Sequence, residues 1–212
     1  MTGCCPRDYE QVFGEKSAAR SARRFRRHGL RGSARALVEM AGDVHGSSVL
    51  EVGGGIGGIE LELLAAGAVQ ATNVELAATY EATAAELARE RGVEDRVERR
   101  IGDFVADAGT IAAHDVVVLH RVVCCYPDAD AMVGAAAERA RMRLLLTYPQ
   151  RRVWVRSGLA AMNALLGLRG STFRVYVHSP ARMDEVAEAH GLALTARRRH
   201  GLFWESAAYS AT

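Results

Sequence analysis

An α/β fold is predicted, built on a mostly parallel sheet, and three observations predict it. From residue 48 onward, short apolar runs rich in β-branched residues alternate with helical patterns. The first run, Ser48–Val52, leads at once into a glycine turn, Gly53-Gly54-Gly55-Ile56-Gly57, that opens a helix. The last two strand-like runs are separated only by His200-Gly201, too short a link for anything but an antiparallel hairpin.

In chain order, residues 15–42 carry an arginine-dense helical pattern that His28-Gly29 should break into two helices. It is either a solvated face or a lid with one or two arginines turned toward a carboxylate of a cofactor or substrate. Strand one, Ser48–Val52, is followed by a helix over Ile59–Ala66, then strand two at Gln70–Glu75 and a long helix over Leu76–Arg91. Val97–Gly102 reads as strand three and Asp115–His120 as strand four, with a helix over Ala129–Ala140 behind it. Arg143–Thr147 is strand five and Val153–Leu168 a further helix. That spacing calls for parallel strands joined by right-handed crossovers. A helix over Pro180–His190 precedes the closing pair, Leu192–Arg199 and Leu202–Tyr209.

With 212 residues and 49% hydrophobic content, one domain with a full core is expected. The first 45 residues would form a helical cap and residues 46–212 the core. Twenty-seven basic and 25 acidic side chains leave a formal charge of +2, too balanced to argue for nucleic acid. Lys16 is the only lysine, which with the abundant alanine looks like coding bias. No apolar stretch approaches the ~18–20 residues of a membrane span, and MTGCCPRDYE lacks a signal-peptide layout. A cytoplasmic protein with reduced thiols is expected.

The glycine turn is the strongest local signal, because a nucleotide-like ligand must lie against bare backbone there. Gly53-x-Gly55-x-x-Gly58 also satisfies the dinucleotide spacing, so the glycines alone do not choose. Glu51 does: a carboxylate two residues before the turn would crowd a pyrophosphate but suits a ligand carrying an amino group and a sulfonium. VLEVGGGIG (49–57) resembles motif I of the class I S-adenosylmethionine (SAM) dependent methyltransferases, an acid followed by glycines corresponding to Gly53, Gly55 and Gly57. The resemblance covers roughly residues 48–210. It implies a Rossmann-like class I methyltransferase fold, a mostly parallel seven-stranded sheet with a C-terminal antiparallel hairpin and an N-terminal helical cap. DVVVLHRVVCCYPD (115–128), RLLLTYPQ (143–150) and FRVYVH (173–178), with the leading GCC, are similar to a small subfamily often labelled magnesium-protoporphyrin O-methyltransferase-like.

Ligands of open α/β sheets sit beyond the carboxyl ends of the strands. Glu75 closes strand two, where a carboxylate can accept both hydroxyls of a ribose; it also suits an ordinary helix N-terminus. Gly102-Asp103-Phe104 closes strand three. There the resemblance implies that Asp103 accepts the adenine amino group and Phe104 covers the ring. His120 closes strand four, near the methionine part of SAM.

The acceptor side is less determined. Cys124 and Cys125 lie just past strand four, and Cys4 and Cys5 begin the cap. Convergence of the two pairs would make a metal site, with zinc holding a substrate thiolate and His178 or His120 assisting. Inert buried cysteines or redox-active thiols are the alternatives. His178 is the preferred acceptor-side base, with His120 and Tyr126 as further catalytic candidates, and Tyr148 either faces the acceptor or packs at its turn. The Asn/Asp-Pro-Pro-aromatic motif of nucleic-acid amino methyltransferases is absent where HRVVCCYP stands. The expectation is therefore methyl transfer to a small molecule, first a thiol, second an oxygen such as a tetrapyrrole carboxylate or a hydroxyl. A SAM- or nucleotide-binding module without turnover is the rival.

Overall fold

The computed structural model describes Tyr9 and residues 12–212. Two helices lead, α1 (Glu15–His28) and α2 (Gly32–Ala41). The break between them falls at Gly29, whose φ of 61° lies in the left-handed region and whose N–H closes onto Phe25 O. Then come β1 (Ser48–Val52), α3 (Gly58–Ala65), β2 (Gln70–Glu75), α4 (Glu81–Glu90), β3 (Val97–Ile101), α5 (Phe104–Asp107), β4 (His114–His120), α6 (Ala129–Glu138), β5 (Ala140–Pro149), α7 (Val153–Leu168), α8 (Pro180–Ala189), β6 (Leu192–His200) and β7 (Trp204–Ala211).

The strands form one seven-stranded sheet in the order β3-β2-β1-β4-β5-β7-β6. The pairs from β3 across to β5 are parallel; β7 runs antiparallel to both β5 and β6. The order reverses between β1 and β4, so the crevice of this sheet opens at the carboxyl ends of those two strands.

Side chains alternate across β1, as the period of two requires. Leu50 and Val52 face a core layer with Met132, Val133, Ala136 of α6 and Met183, Val186 of α8. Val49 faces the other layer, with Leu37 and Ala41 of α2 and Ile59 and Leu63 of α3. Helix α2 therefore belongs to the core of the domain, where Leu37 is fully buried. Helix α1 packs outside it, placing Ala22 and Phe25 against Leu61 and Leu87.

Four elements differ from expectation. The helix after β2 starts as a 3-10 turn at Ala78–Tyr80 and only then becomes α4. Strand β5 is longer at both ends because β4 pairs with it from Ala140 and β7 as far as Pro149. The hairpin turn is residues 201–203 rather than His200-Gly201, so β7 begins at Trp204. FRVYVH joins no sheet. The Asn163 side chain holds both polar groups of Val175 (2.8 and 2.9 Å), and Tyr176 N donates to Cys124 O. Satisfied this way, an apolar run needs no strand partner.

Candidate functional site

At the strand-order reversal the structure has a cavity of about 370 Å³. The ends of successive strands line it: Val52–Ile56 beyond β1, Val74–Leu76 at β2, Gly102–Phe104 beyond β3, and His120–Val122 at β4. Cys125, Tyr126, Tyr9 and Phe13 complete its other end.

Glu75 is nearly buried at the carboxyl end of β2. Its carboxylate accepts Gly55 N–H (2.8 Å) and Ala77 N–H (2.9 Å), tying the glycine turn to β2 while it lines the cavity. Asp103 caps the short helix α5 by accepting Val105 N–H (3.0 Å), and buried Phe104 stands beside it in the wall. Gly53 and Gly55 both have positive φ and both line the cavity. Gly57, also at positive φ, is the N-cap of α3 and does not reach it.

Glu51 does not line this cavity; it lies on the other face of the turn, in the wall of an adjoining one. Because it shares the Val49 side of β1, its carboxylate lies behind the glycine turn and accepts Glu60 N–H in the first turn of α3 (2.8 Å). Sheet register places Glu51, Asn73 and Arg99 in one row across β1, β2 and β3. Asn73 Nδ2 donates to Glu60 (2.8 Å), and Arg99 lies 3.6 Å from Glu60 and 2.8 Å from Glu81. Burial raises both acids: Glu60 to about 7, and Glu51 well above the carboxylate range, with Glu60 beside it adding to the effect. Gly54 covers this row from above. A Cβ there would collide with Asn73 Nδ2 and with the Glu51 side chain.

Arg121 has φ +61°, the only positive value among the described non-glycine residues. Its N–H reaches Thr147 O (3.1 Å), and its carbonyl accepts the thiols of Cys124 (3.3 Å) and Cys125 (3.6 Å). The guanidinium stacks over Trp204 at 4.4 Å and donates to Ser33 Oγ (3.0 Å). A second cavity of about 260 Å³ shares Gly54, Ile56, His120 and Arg121 with the first. It adds Arg24 and Arg31, so three arginines meet there, and among the described residues none of the three has a carboxylate partner.

His120 lines both cavities, with Nε2 3.0 Å from Ser33 Oγ. Burial first, then Arg121 and His200, push its pKa down to about 3. A group so reluctant to hold a proton is a poor general base at neutral pH. His178 lies outside the main cavity, donating from Nε2 to Tyr126 O (3.0 Å) in an adjoining hollow with Asp103 and Tyr126. Tyr126 reaches the main cavity; Tyr148 is buried against Glu205. The adjacent Cys124 thiol, then burial, raise the Cys125 thiol, and both cysteines donate to Arg121 O. Among the described residues no three His, Cys, Asp or Glu side chains converge as metal ligands. Cys4 and Cys5 lie outside the described residues.

Several lining residues carry no local mark in the sequence. Tyr80 lies against Gly55 and donates to Ser17 Oγ (3.0 Å). Tyr9 and Phe13 reach the wall because Phe173 packs edge-on against both, at 5.3 and 5.7 Å.

No family model matches this chain, and no curated protein does. Solved structures do. The chain is similar to magnesium protoporphyrin IX methyltransferase from Synechocystis PCC 6803 (TM-score 0.66, 19% identity, 97% of this chain, 86% of that one). It is also similar to geranyl diphosphate C-methyltransferase from Streptomyces coelicolor (TM-score 0.68, 13% identity, 84% and 76%). An O-methyltransferase family protein from Burkholderia thailandensis aligns as well (TM-score 0.70, 17% identity, 95% and 64%). The fold is the class I methyltransferase fold.

Proposed function

We propose that this chain is a SAM-dependent methyltransferase acting on a small molecule, with oxygen as the acceptor atom. The observation that carries it is the cavity at the strand-order reversal, with Glu75, Asp103 and Phe104 on successive strand ends around a bare glycine turn. The turn fits SAM and not a dinucleotide. Two backbone amides that a pyrophosphate would need are filled by the protein's own carboxylates, Gly55 N–H by Glu75 and Glu60 N–H by Glu51. An anion added there meets like charge from Glu75. In this reading Glu75 adds to the discrimination expected of Glu51, which lines the adjoining cavity.

Glu75 would accept the ribose hydroxyls, and Asp103 with Phe104 would hold the adenine. The Arg24, Arg31 and Arg121 cluster would take the carboxylate at the amino-acid end. SAM supplies an electrophilic methyl group on a sulfonium. The chain's task is to align an acceptor lone pair between Tyr126, Cys125 and the Tyr9–Phe13 wall, and to keep water out.

Oxygen displaces the thiol as first choice for two reasons. Both described cysteines donate to Arg121 O, and the Cys125 thiol is pushed up, away from the thiolate. Similar folds include a protoporphyrin methyltransferase and an O-methyltransferase family protein. A carboxylate acceptor is favoured over a hydroxyl, because it needs no base and His120 is a poor one. The test is calorimetry with SAM and with NAD, followed by methyl-labelled SAM against carboxylates, phenols and thiols. Esters as the labelled product are expected. NAD binding without SAM binding, or thioethers as the only product, would overturn the proposal.

A further inference from the structure

Helix α7 is the least integrated element of the fold: of its 16 residues only Val155 and Leu159 are buried. The rest is apolar but not hidden. Trp154, Gly158, Ala161, Leu165 and Leu168 recur at the spacing that aligns side chains along one stripe of a helix. Trp154, Leu165 and Leu168 are 55%, 48% and 86% exposed, and Val153 and Met162 extend the stripe to either side. Monomeric proteins rarely leave so continuous an apolar face open.

The charges around it have one sign. Arg151 and Arg152 stand at the start of the helix, Arg156 one turn in, and Arg169 at its end. Between Glu138 and Asp184 every formally charged side chain is an arginine. None of these four is in an ion pair among the described residues. Arg152 lies over the Trp154 ring at 4.9 Å, an aliphatic stem along apolar surface with its charge at the rim.

We infer that α7 docks on an anionic lipid surface, lying in the headgroup plane with the Trp154–Leu168 stripe inward. Three features select lipid over protein. The face is a convex helix and not a groove, so it suits a plane. Arginines border it at both ends, with tryptophan near one of them, as in interfacial helices. A two-fold pairing with a second copy would bring arginine ends against arginine ends, which is repulsive. Among the described residues no helix is long and apolar enough to cross a membrane, so α7 lies on the bilayer rather than spanning it. Docking has a consequence for the cavity. Asn163 of α7 clips the 171–179 segment, and Phe173 of that segment packs on Tyr9 and Phe13 at the cavity wall. A docked α7 sets that wall close to the lipid, where an amphiphilic acceptor would be concentrated. That consequence rests on the proposed methyl transfer; the docking does not.

The experiment is co-sedimentation of the full chain with vesicles of phosphatidylcholine alone and of phosphatidylcholine mixed with phosphatidylglycerol. Binding to the mixed vesicles is expected, with a blue shift of tryptophan emission that Trp154→Phe removes and with weakening at high salt. Leu165→Asp should lower partitioning by more than about tenfold, and Arg151→Gln or Arg169→Gln by roughly fivefold each. SAM calorimetry on the same variants should be unchanged, which separates loss of docking from loss of fold or of cofactor binding. No binding to the mixed vesicles would overturn the inference. So would binding that both Leu165→Asp and Arg169→Gln leave intact, or a solution dimer that Leu165→Asp dissolves.

Discussion

The glycine turn has one carboxylate in front of it and one behind, and the two do different work. Glu75, in front, borders the cavity and fastens the turn through Gly55 N–H. Glu51, behind, lines the second cavity and satisfies a helix amide of α3 beside a second buried acid, Glu60. The front carboxylate borders the main cavity, and the back one borders the adjoining cavity that holds the three arginines. Distance along the chain misleads here, since Glu51 is two residues before the first motif glycine and Glu75 is 20 residues from Gly55. What assigns each to its side is the alternation of β1 and the parallel register with β2, which pairs Glu51 with Asn73 and brings the end of β2 beside the turn.

Substitution at the back should have the largest effect. Gly54→Ala drives a methyl into Asn73 and Glu51, both buried and both held. A loss of about 3 kcal/mol, the upper end of overpacking, is expected in denaturant titration, and SAM binding falls with it. A variant as stable as the parent would mean that the row behind the turn is soft. At the front, Glu75→Gln should leave the melting temperature within a few degrees but weaken SAM by roughly thirtyfold, about 2 kcal/mol, in calorimetry. Equal losses of stability and affinity in both variants would erase the distinction between the two sides.

That distinction shows what was legible in the sequence. The parallel strands and the closing hairpin were, because hydrophobic period and link length act locally, whereas the strand order is set by tertiary packing. Glu75, Asp103 and Phe104 were placed at strand ends, and the structure puts them on the cavity. Glu51 shares the face of Val49, and that parity sets it on the side of the second cavity rather than the first. Tyr9, Phe13, Tyr80 and Arg121 meet only through tertiary packing, and nothing local announces them. The cysteines were read for their chemistry, whereas Cys124 and Cys125 serve the backbone by holding the carbonyl of a left-handed arginine.

The buried acid row should also leave a pH signature. Glu60 has its pKa raised to about 7, so the folded chain holds a proton there that the unfolded chain releases near pH 4.5. The associated stability is fully present below about pH 4.5 and is lost as pH rises through 7. Folding free energy should drop by about 2 kcal/mol between pH 5 and 8 on this account, allowing for relaxation of the site. Glu60→Gln is expected to flatten that slope in urea titrations at both pH values, while Glu75→Gln keeps it. An unaltered slope in Glu60→Gln would show that Glu60 is ionised throughout and that the slope comes from Glu51 or elsewhere.

The smallest effect tests where the front of the site ends. Arg121 is held at positive φ, stacked on Trp204 and bonded to Ser33, and it points no charge at any carboxylate of the described chain. Such an arrangement spends backbone strain to place a cation, which is reasonable only where an anion arrives. If that anion is the carboxylate of SAM, Arg121→Gln should weaken SAM by roughly tenfold, about 1.4 kcal/mol, and leave methylthioadenosine, which has no carboxylate, unaffected. If it is a carboxylate of the acceptor, both nucleosides should bind as before and the acceptor KM should rise by a similar factor. Equal weakening of SAM and methylthioadenosine would instead show that Arg121 supports the glycine turn from behind His120, and the front of the site would then stop at Gly55.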